Sequence, residues 1–275
     1  MTWKALLERG ENRLRTAGIA DAGLDAWFLM EYISGMSRAG YFLNQEEMAS
    51  SEKTECYLEL INKRCSHIPL QHLTGSQEFM GLEFLVSPEV LIPRQDTELL
   101  VENLLPVITG KKVLDLCTGS GCIGISLEKL GNPEKVDAVD LSEKALLVAQ
   151  ENARRLQADV HFSKSDMFQN ITETYDVIVS NPPYITSSVI NTLMPEVKEH
   201  EPRMALDGGE DGLSFYRQIA RESKQYLAPN GMLWLEIGYD QGESVSGLLE
   251  KEGFNDVKCL KDLCGLDRVV CGIKK

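Results

Sequence analysis

"KVLDLCTGSGCIG", residues 112–124, carries an apolar run straight into a Gly-Ser-Gly cluster and then into an apolar segment of helical character. A strand that ends in such a turn and restarts as a helix brings backbone close to whatever lies at the strand's end, with the first helical N–H groups pointing outward. The same alternation continues down the chain. Strands are predicted at "KVLDLCTG", "VDAVD", "DVHFSKSD", "YDVIVSN" and "MLWLEIG", and helices at "GCIGISLEKL", "SEKALLVAQENARRL" with Ser142 as N-cap, "LSFYRQIARESKQYL" and "ESVSGLLEKEG". "DVKCLKD" and "DRVVCGIK" read as a closing antiparallel hairpin at one edge. This predicts an α/β fold: a mostly parallel sheet with helices on both faces and ligands at the carboxyl ends of its strands.

Upstream the pattern is different. "WKALLERGENRL", "LDAWFLMEYISGM" and "SSEKTECYLELINKRC" read as helices, the last with Tyr57, Leu58, Ile61 and Cys65 on one stripe. "EFMGLEFLV" reads as two short strands about Gly81. The expected domains are a helical one over residues 1–73, a hairpin linker over 74–92 and the α/β domain over 93–275.

A chain of 275 residues with 43% hydrophobic content can bury two cores. It has no run of eighteen apolar residues, and the charges in "MTWKALLERGENRLR" break any signal-peptide centre, so a soluble, cytoplasmic protein is expected. The seven cysteines are dispersed with no C-x-x-C and the four histidines have no ligand spacing, so reduced core thiols and no metal are expected. The net charge is −14, of which residues 1–75 hold only −2. With no basic run longer than two residues, the remaining −12 on residues 76–275 counts against binding a phosphate backbone.

The turn also contains Gly119-x-Gly121-x-x-Gly124, a dinucleotide fingerprint that is weak alone and would also suit a plain strand-to-helix turn. Three acids sharpen the reading. Asp140 ends the second strand, where a carboxylate can take a ribose diol; Asp166 ends the third, facing an adenine amino group, with Met167 and Phe168 beside the ring. Asp115 lies inside the first strand, where nicotinamide-binding folds carry small or apolar residues, and would act on an amino-acid moiety directly or by fixing the loop. A cationic adenosine ligand fits this series, namely S-adenosylmethionine, whereas the pyrophosphate of NAD would be repelled.

"DVIVSNPPYI", residues 176–185, ends the fourth strand in a rigid corner. A planar NH2 group, in an amide or a nucleobase, is a poor nucleophile because its lone pair is delocalised. The Asn181 side-chain oxygen and the Pro182 carbonyl could take its two hydrogens and aim the lone pair at a methyl donor. Pro182 and Pro183 would fix that geometry, and Tyr184 would wall in the target. A sharp loop start with no further role is the plain alternative.

"LDLCTGSG", "VDLS", "SDMF" and "SNPPY" together resemble the class I, Rossmann-like S-adenosylmethionine-dependent amino-methyltransferases. With "PLQHLTG", "IPRQDTE", "EPRMALDGGEDGL" and "EIGYDQG", nearly the whole chain resembles the HemK-type release factor glutamine methyltransferases. The resemblance implies a mostly parallel seven-stranded sheet and methylation of the Gln of a Gly-Gly-Gln motif in peptide chain release factors. It implies donor contacts from Thr118, Gly119, Ser120, Gly121, Asp140, Met167 and Asn181, and the expected donor site as a whole adds Asp115, Cys117, Leu141, Asp166 and Phe168 to these. Asn181, Pro182, Pro183 and Tyr184 would grip the Gln, with Asn181, Pro182 and Tyr184 serving catalysis. Cys117 stands where the family commonly has Gly and Gln95 where it commonly has Pro. Residues 196–211 hold six acids against Lys198 and Arg203, a rim that suits a basic protein loop, or an ordinary solvated loop. A nucleobase amino-methyltransferase, and a nicotinamide-dependent or non-catalytic nucleotide-binding module, are the competing readings.

Overall fold

The computed structural model describes all 275 residues and divides into two compact units. The first, Met1–Gly75 with Met194–His200, is helical: α1 (Trp3–Thr16), α2 (Ala22–Ser34), α3 (Arg38–Asn44), α4 (Ser51–Cys65) and α5 (Leu70–Thr74). Thr2, Ser37 and Ser50 cap α1, α3 and α4 by accepting from backbone N–H groups one turn on. Leu6, Leu14, Trp27, Met30, Tyr57 and Ile61 fill its core. On the predicted α4 stripe, Tyr57 and Ile61 are fully buried while Leu58 and Cys65 lie at its margin.

The short helix Pro195–His200 joins this unit through Glu196. Arg64, itself buried, lies 2.7 Å from Asp25 and 3.0 Å from Glu196, and His67 Nδ1 lies 3.0 Å from the same Glu196 oxygen. A buried guanidinium needs such paired acceptors, because an unpaired buried charge is strongly destabilising.

The second unit holds the α/β architecture. Strands β1 (Ser76–Phe79) and β2 (Leu82–Leu85) pair antiparallel about Met80 and Gly81, both at positive φ, the geometry of a tight hairpin. Phe79 and Phe84 are buried edge-to-face in the core of this unit. Helix α6 (Gln95–Leu104) follows, then β3 (Lys112–Leu116), α7 (Cys122–Gly131), β4 (Lys135–Asp140), α8 (Glu143–Leu156), β5 (Val160–Lys164), β6 (Tyr175–Ser180), β7 (Leu227–Glu236), β8 (Phe254–Lys261) and β9 (Asp267–Lys274). Further helices lie at Ser187–Ile190, Ser214–Glu222 and Gly242–Lys251.

The seven strands run in the order β5-β4-β3-β6-β7-β9-β8, parallel except for β9. All seven predicted strands are present, and the last two form the expected antiparallel edge. The helix predicted over 213–227 ends at Glu222, because Leu227 starts β7 and bonds into the sheet beside Tyr175. The order reverses between β3 and β6. That switch opens a crevice at the carboxyl edge between the glycine turn after β3 and the corner after β6. No helix is long and apolar enough to cross a membrane.

Candidate active site at the carboxyl edge of the sheet

The turn after β3 is held from below by two carboxylates. Asp115, wholly buried, accepts from the Thr118 hydroxyl at 2.6 Å and the Gly124 N–H at 3.0 Å through Oδ2, while its Oδ1 has no partner. Asp140 accepts from the Gly119 N–H at 2.9 Å through Oδ2 and from the Ser142 N–H at 2.8 Å through Oδ1. Ser142 caps α8 as predicted, accepting from the Ala145 N–H. The Gly119 N–H, which a pyrophosphate would need, is thus already committed to a carboxylate. Asn152, also buried, donates to the Ser120 carbonyl at 2.9 Å and exchanges bonds with Leu85 of β2, fastening the turn to the hairpin.

Cys117 sits at φ 59° and Met167 at φ 49°. In that left-handed region a Cβ costs roughly 1–2 kcal/mol, so strain gathers on one wall of the crevice. The two sulfurs lie 3.9 Å apart. Burial, and then the nearby Asp140 charge, push the Cys117 thiol well above its ordinary pKa and keep it protonated.

The crevice has a cavity volume of about 120 Å³ and opens to solvent at its mouth. Its walls include Cys117, Thr118, Gly119, Ser120, Asp140 and Leu141 on one side. Asp166, Met167, Asn181 and Pro183 continue the wall, with Thr97, Arg94 and Phe215 nearby. Its charged lining is Glu89, Asp140, Asp166 and Arg94, and Arg94 is paired at 2.5 Å with the buried Glu201. An acidic wall with ribose-competent carboxylates and an open glycine backbone, where a Cβ on Gly119 would meet nothing, suits a cationic adenosine ligand.

Five predicted residues fall outside the lining. Asp115 and Gly121 lie beneath the turn; Gly121 is at φ 81°, where an added Cβ would strike Ile125 at 2.9 Å. Phe168, expected beside an adenine, is instead buried and stacked on Tyr226 at 4.9 Å. Pro182 is buried and is not among the lining residues, although its equally buried neighbour Pro183 is. Tyr184 turns away, its hydroxyl donating to Glu236 at 3.4 Å, and is a support of the corner instead of a wall.

Asn181 does reach the crevice. Its Nδ2 donates to Thr97 Oγ1 at 3.3 Å, and its Oδ1 accepts nothing within the chain. Behind the corner, Ile185 and the 206–208 segment exchange backbone bonds, from Ile185 N–H to the Leu206 carbonyl and from Gly208 N–H to the Ile185 carbonyl, both 2.9 Å. A Cβ on Gly208 would come within 2.7 Å of the Tyr184 backbone. The motif "ALDGGEDGL" is therefore the buttress of the corner.

The acids of 196–211 do not form a free rim. Glu196 is taken by Arg64 and His67, Glu201 by Arg94 and the Ile92 N–H, Asp207 by Arg203 and the Ser187 hydroxyl, and Asp211 by Arg217. They pin the loop they belong to. The cysteines likewise differ from a set of core thiols: all seven are unpaired, but only Cys122 and Cys271 are buried.

Thr97 and Glu236 escaped the residue-level reading although their motifs, "IPRQDTE" and "EIGYDQG", did not. Thr97 belongs to α6, whose buried spacing of 97, 100, 101 and 104 was present in the sequence. Glu236 ends β7 and reads as an ordinary strand-end acid until Tyr184 and Thr97 are placed beside it.

The family model described as PrmC N-terminal domain matches residues 5–75, and that described as Methyltransferase small domain matches residues 94–200. A protein of Geobacter sulfurreducens named release factor glutamine methyltransferase is 40% identical over 98% of this chain and 96% of its own length. One of the same name from Agrobacterium fabrum is 38% identical over 98% and 96%. A solved methyltransferase from Pyrococcus furiosus superposes with a TM-score of 0.59 over 78% of this chain and 98% of its own, at 21% identity, a likeness of fold.

Burial pushes both Asp115 and Glu236 up to about 7, with hydrogen bonds from Thr118 and Thr97 respectively opposing it. Unfolded, such groups titrate near ~4, so the folded chain binds their protons more tightly. Their contribution is complete below the unfolded value and is lost as pH rises through the folded one. The thermal midpoint should therefore fall between about pH 5 and about pH 8 at fixed ionic strength, and Asp115→Asn should flatten the decline. A midpoint that stays flat across this window would mean that the two carboxyls ionise freely.

Proposed function

The chain belongs to the release factor glutamine methyltransferase family, and from that premise we propose that it methylates the side-chain amide nitrogen of the Gln in a release factor's Gly-Gly-Gln motif. The observation that carries this reading is Asn181: a carboxamide at the cavity wall, anchored through Nδ2, with its oxygen left to accept from another amide. S-adenosylmethionine supplies the electrophilic methyl of a sulfonium when bound.

The chain's own residues then have distinct tasks. Asp140 and Asp166 offer carboxylates to the ribose and adenine ends of the donor, and the Cys117–Ser120 turn shapes the wall around it. Asp115 acts through Thr118 and Gly124, holding the turn and not touching the ligand. Asn181 Oδ1 takes one hydrogen of the Gln amide and turns its nitrogen toward the methyl carbon. The walls of Pro183 and Phe215 exclude water, so positioning in a dry site does the work. No general base is needed, because an N-methylated amide nitrogen is acidic until its extra proton leaves to solvent. The acidic wall also disfavours a nucleic-acid backbone, and seven unpaired cysteines suit a reducing cytoplasm.

Asn181→Ala should lower turnover by ~10²–10³, the scale for losing one preorganised partner, with donor affinity measured by calorimetry changing far less. Mass spectrometry of a release factor incubated with enzyme and donor should show one added methyl on that Gln, and Gln→Glu in the substrate should abolish it. Label found on co-purified RNA or DNA, with the release factor unmodified, would transfer the assignment to nucleobase chemistry.

The helical unit is assigned to recognising the body of the protein substrate. Leu24, Phe28 and Tyr32 lie one turn apart along α2 and are 51%, 40% and 55% exposed, an apolar stripe that the unit's own core leaves uncovered. Phe28→Ser with Tyr32→Ser should raise KM for the full-length release factor and leave a short Gly-Gly-Gln peptide unaffected. Equal losses on both substrates would remove this unit from recognition.

A further inference from the structure

We propose that Arg94 binds the α-carboxylate of the methyl donor and fixes the donor's amino-acid end beside Asn181. The proposal rests on S-adenosylmethionine as the donor, and names the residue that meets the one anionic group this ligand carries.

The charges along the crevice lead to this residue. At neutral pH the donor has two cationic groups, the sulfonium and the α-ammonium, and one anionic group, the α-carboxylate. The charged lining of the crevice is three acids, Glu89, Asp140 and Asp166, and a single cation, Arg94. The acids suit a ligand that is positive overall, yet each of them repels its carboxylate. Only Arg94 offers that group an opposite charge.

Position agrees with charge. The strand order places the ends of β4 and β5, with Asp140 and Asp166, on one side of the β3 turn, and the end of β6, with Asn181, on the other. An adenosine held by the two acids, with its sulfonium methyl turned to Asn181, therefore extends its amino-acid end toward β6. Arg94 stands on that side. It directly precedes α6, and Thr97 in the first turn of that helix accepts from Asn181 at 3.3 Å.

The guanidinium is anchored, and only in part occupied. Arg94 Nη2 donates to Glu201 Oε2 at 2.5 Å, while Glu201 Oε1 accepts from the Ile92 N–H at 3.2 Å. The Glu201 side chain is 1% exposed and that of Arg94 is 41% exposed. A buried carboxylate thus holds one corner of a planar group that carries five N–H donors, and the Nε and Nη1 donors find no acceptor in the chain. A pair that served only to pin the segment after Glu201 would do so best with two parallel bonds, the geometry that guanidinium and carboxylate favour. Here one Glu201 oxygen goes to the backbone instead, and the rest of the guanidinium stays at the crevice wall. Pro202, Met204 and Ala205 line the same crevice, so Glu201 sets Arg94 against the wall that its own neighbours build.

The test is calorimetry on the full chain with three ligands: S-adenosylmethionine, its decarboxylated analogue, and methylthioadenosine, which lacks the whole amino-acid end. Arg94→Gln should weaken S-adenosylmethionine by about ten- to hundredfold, the scale of hydrogen bonds to a charged group, while the two ligands without a carboxylate stay within about threefold. Arg94→Lys keeps the charge and should recover part of the loss. Equal weakening of all three ligands would make Arg94 a brace of the crevice and overturn the proposal, as would an unchanged affinity for S-adenosylmethionine. Should Arg94→Gln fail to fold, a crystal structure of the wild-type chain with S-adenosylhomocysteine decides. Its carboxylate should lie within about 3.2 Å of an Arg94 nitrogen, and a carboxylate held elsewhere overturns the proposal. Wild-type chain that binds none of the three ligands would refute the donor itself. If the donor binds as expected but no Gln is labelled, the acceptor reading fails and the role of Arg94 stands.

Discussion

Asp140 fastens three loops at once. Its side chain accepts from the Gly119 N–H of the turn after β3 and from the Ser142 N–H that opens α8, and its backbone carbonyl accepts from the Ser165 N–H after β5 at 3.0 Å. These are the loops that leave adjacent parallel strands at the carboxyl edge of the sheet. Parallel strands supply the edge but not the mutual placement of what projects from it. One half-buried carboxylate, accepting charge-assisted bonds from backbone donors, supplies that placement, because its two oxygens and carbonyl accept together. Burial raises the pKa of Asp140 and the backbone N–H groups oppose the rise, so the turn stabilises the charge that organises it.

The sheet could be read in the sequence because period and punctuation coincide there: short apolar strands, glycine turns and a capping Ser142. The glycine turn, the acids at 140 and 166, and the Asn-Pro-Pro-Tyr corner were legible as well, since each pairs an unusual residue with a strand end. What was not legible lay in side-chain direction. Phe168 and Tyr184 follow the right strands, yet their rings point into the core, toward Tyr226 and Glu236. Position along a strand end gives proximity to an edge; which way a side chain turns depends on packing partners distant in sequence. The same limit explains the six acids of 196–211. As composition they describe a negative surface, but Arg64, Arg94, Arg203 and Arg217 convert four of them into fasteners.

The corner shows how rigidity is assembled from both directions. Two prolines remove donors and restrict φ, which limits what the corner can do. They do not determine where Asn181 points. That comes from α6, which brings Thr97 to its amide, and from the 206–208 segment, whose Gly208 admits the corner backbone at a distance no Cβ would tolerate. Proline restricts the chain locally and glycine permits the close approach that restricts it globally. Neither residue would suffice by itself.

The carboxyls beneath the site make the same demand on the fold. Asp115 and Glu236 are both buried, both pushed up to about 7 by desolvation, and each retains an oxygen without a partner. A fold optimised for stability would replace them with apolar groups or give every oxygen a donor. As hydrogen-bond acceptors they do what no apolar group can: one orients Thr118 and the helix start at Gly124, the other orients Tyr184. Protonation would relieve the desolvation cost and also erase the acceptor-only character on which the orientation depends. Near neutral pH the condition that favours the folded chain and the condition that orders its site therefore lie on opposite sides of the same titration, and the site holds its geometry at the expense of stability.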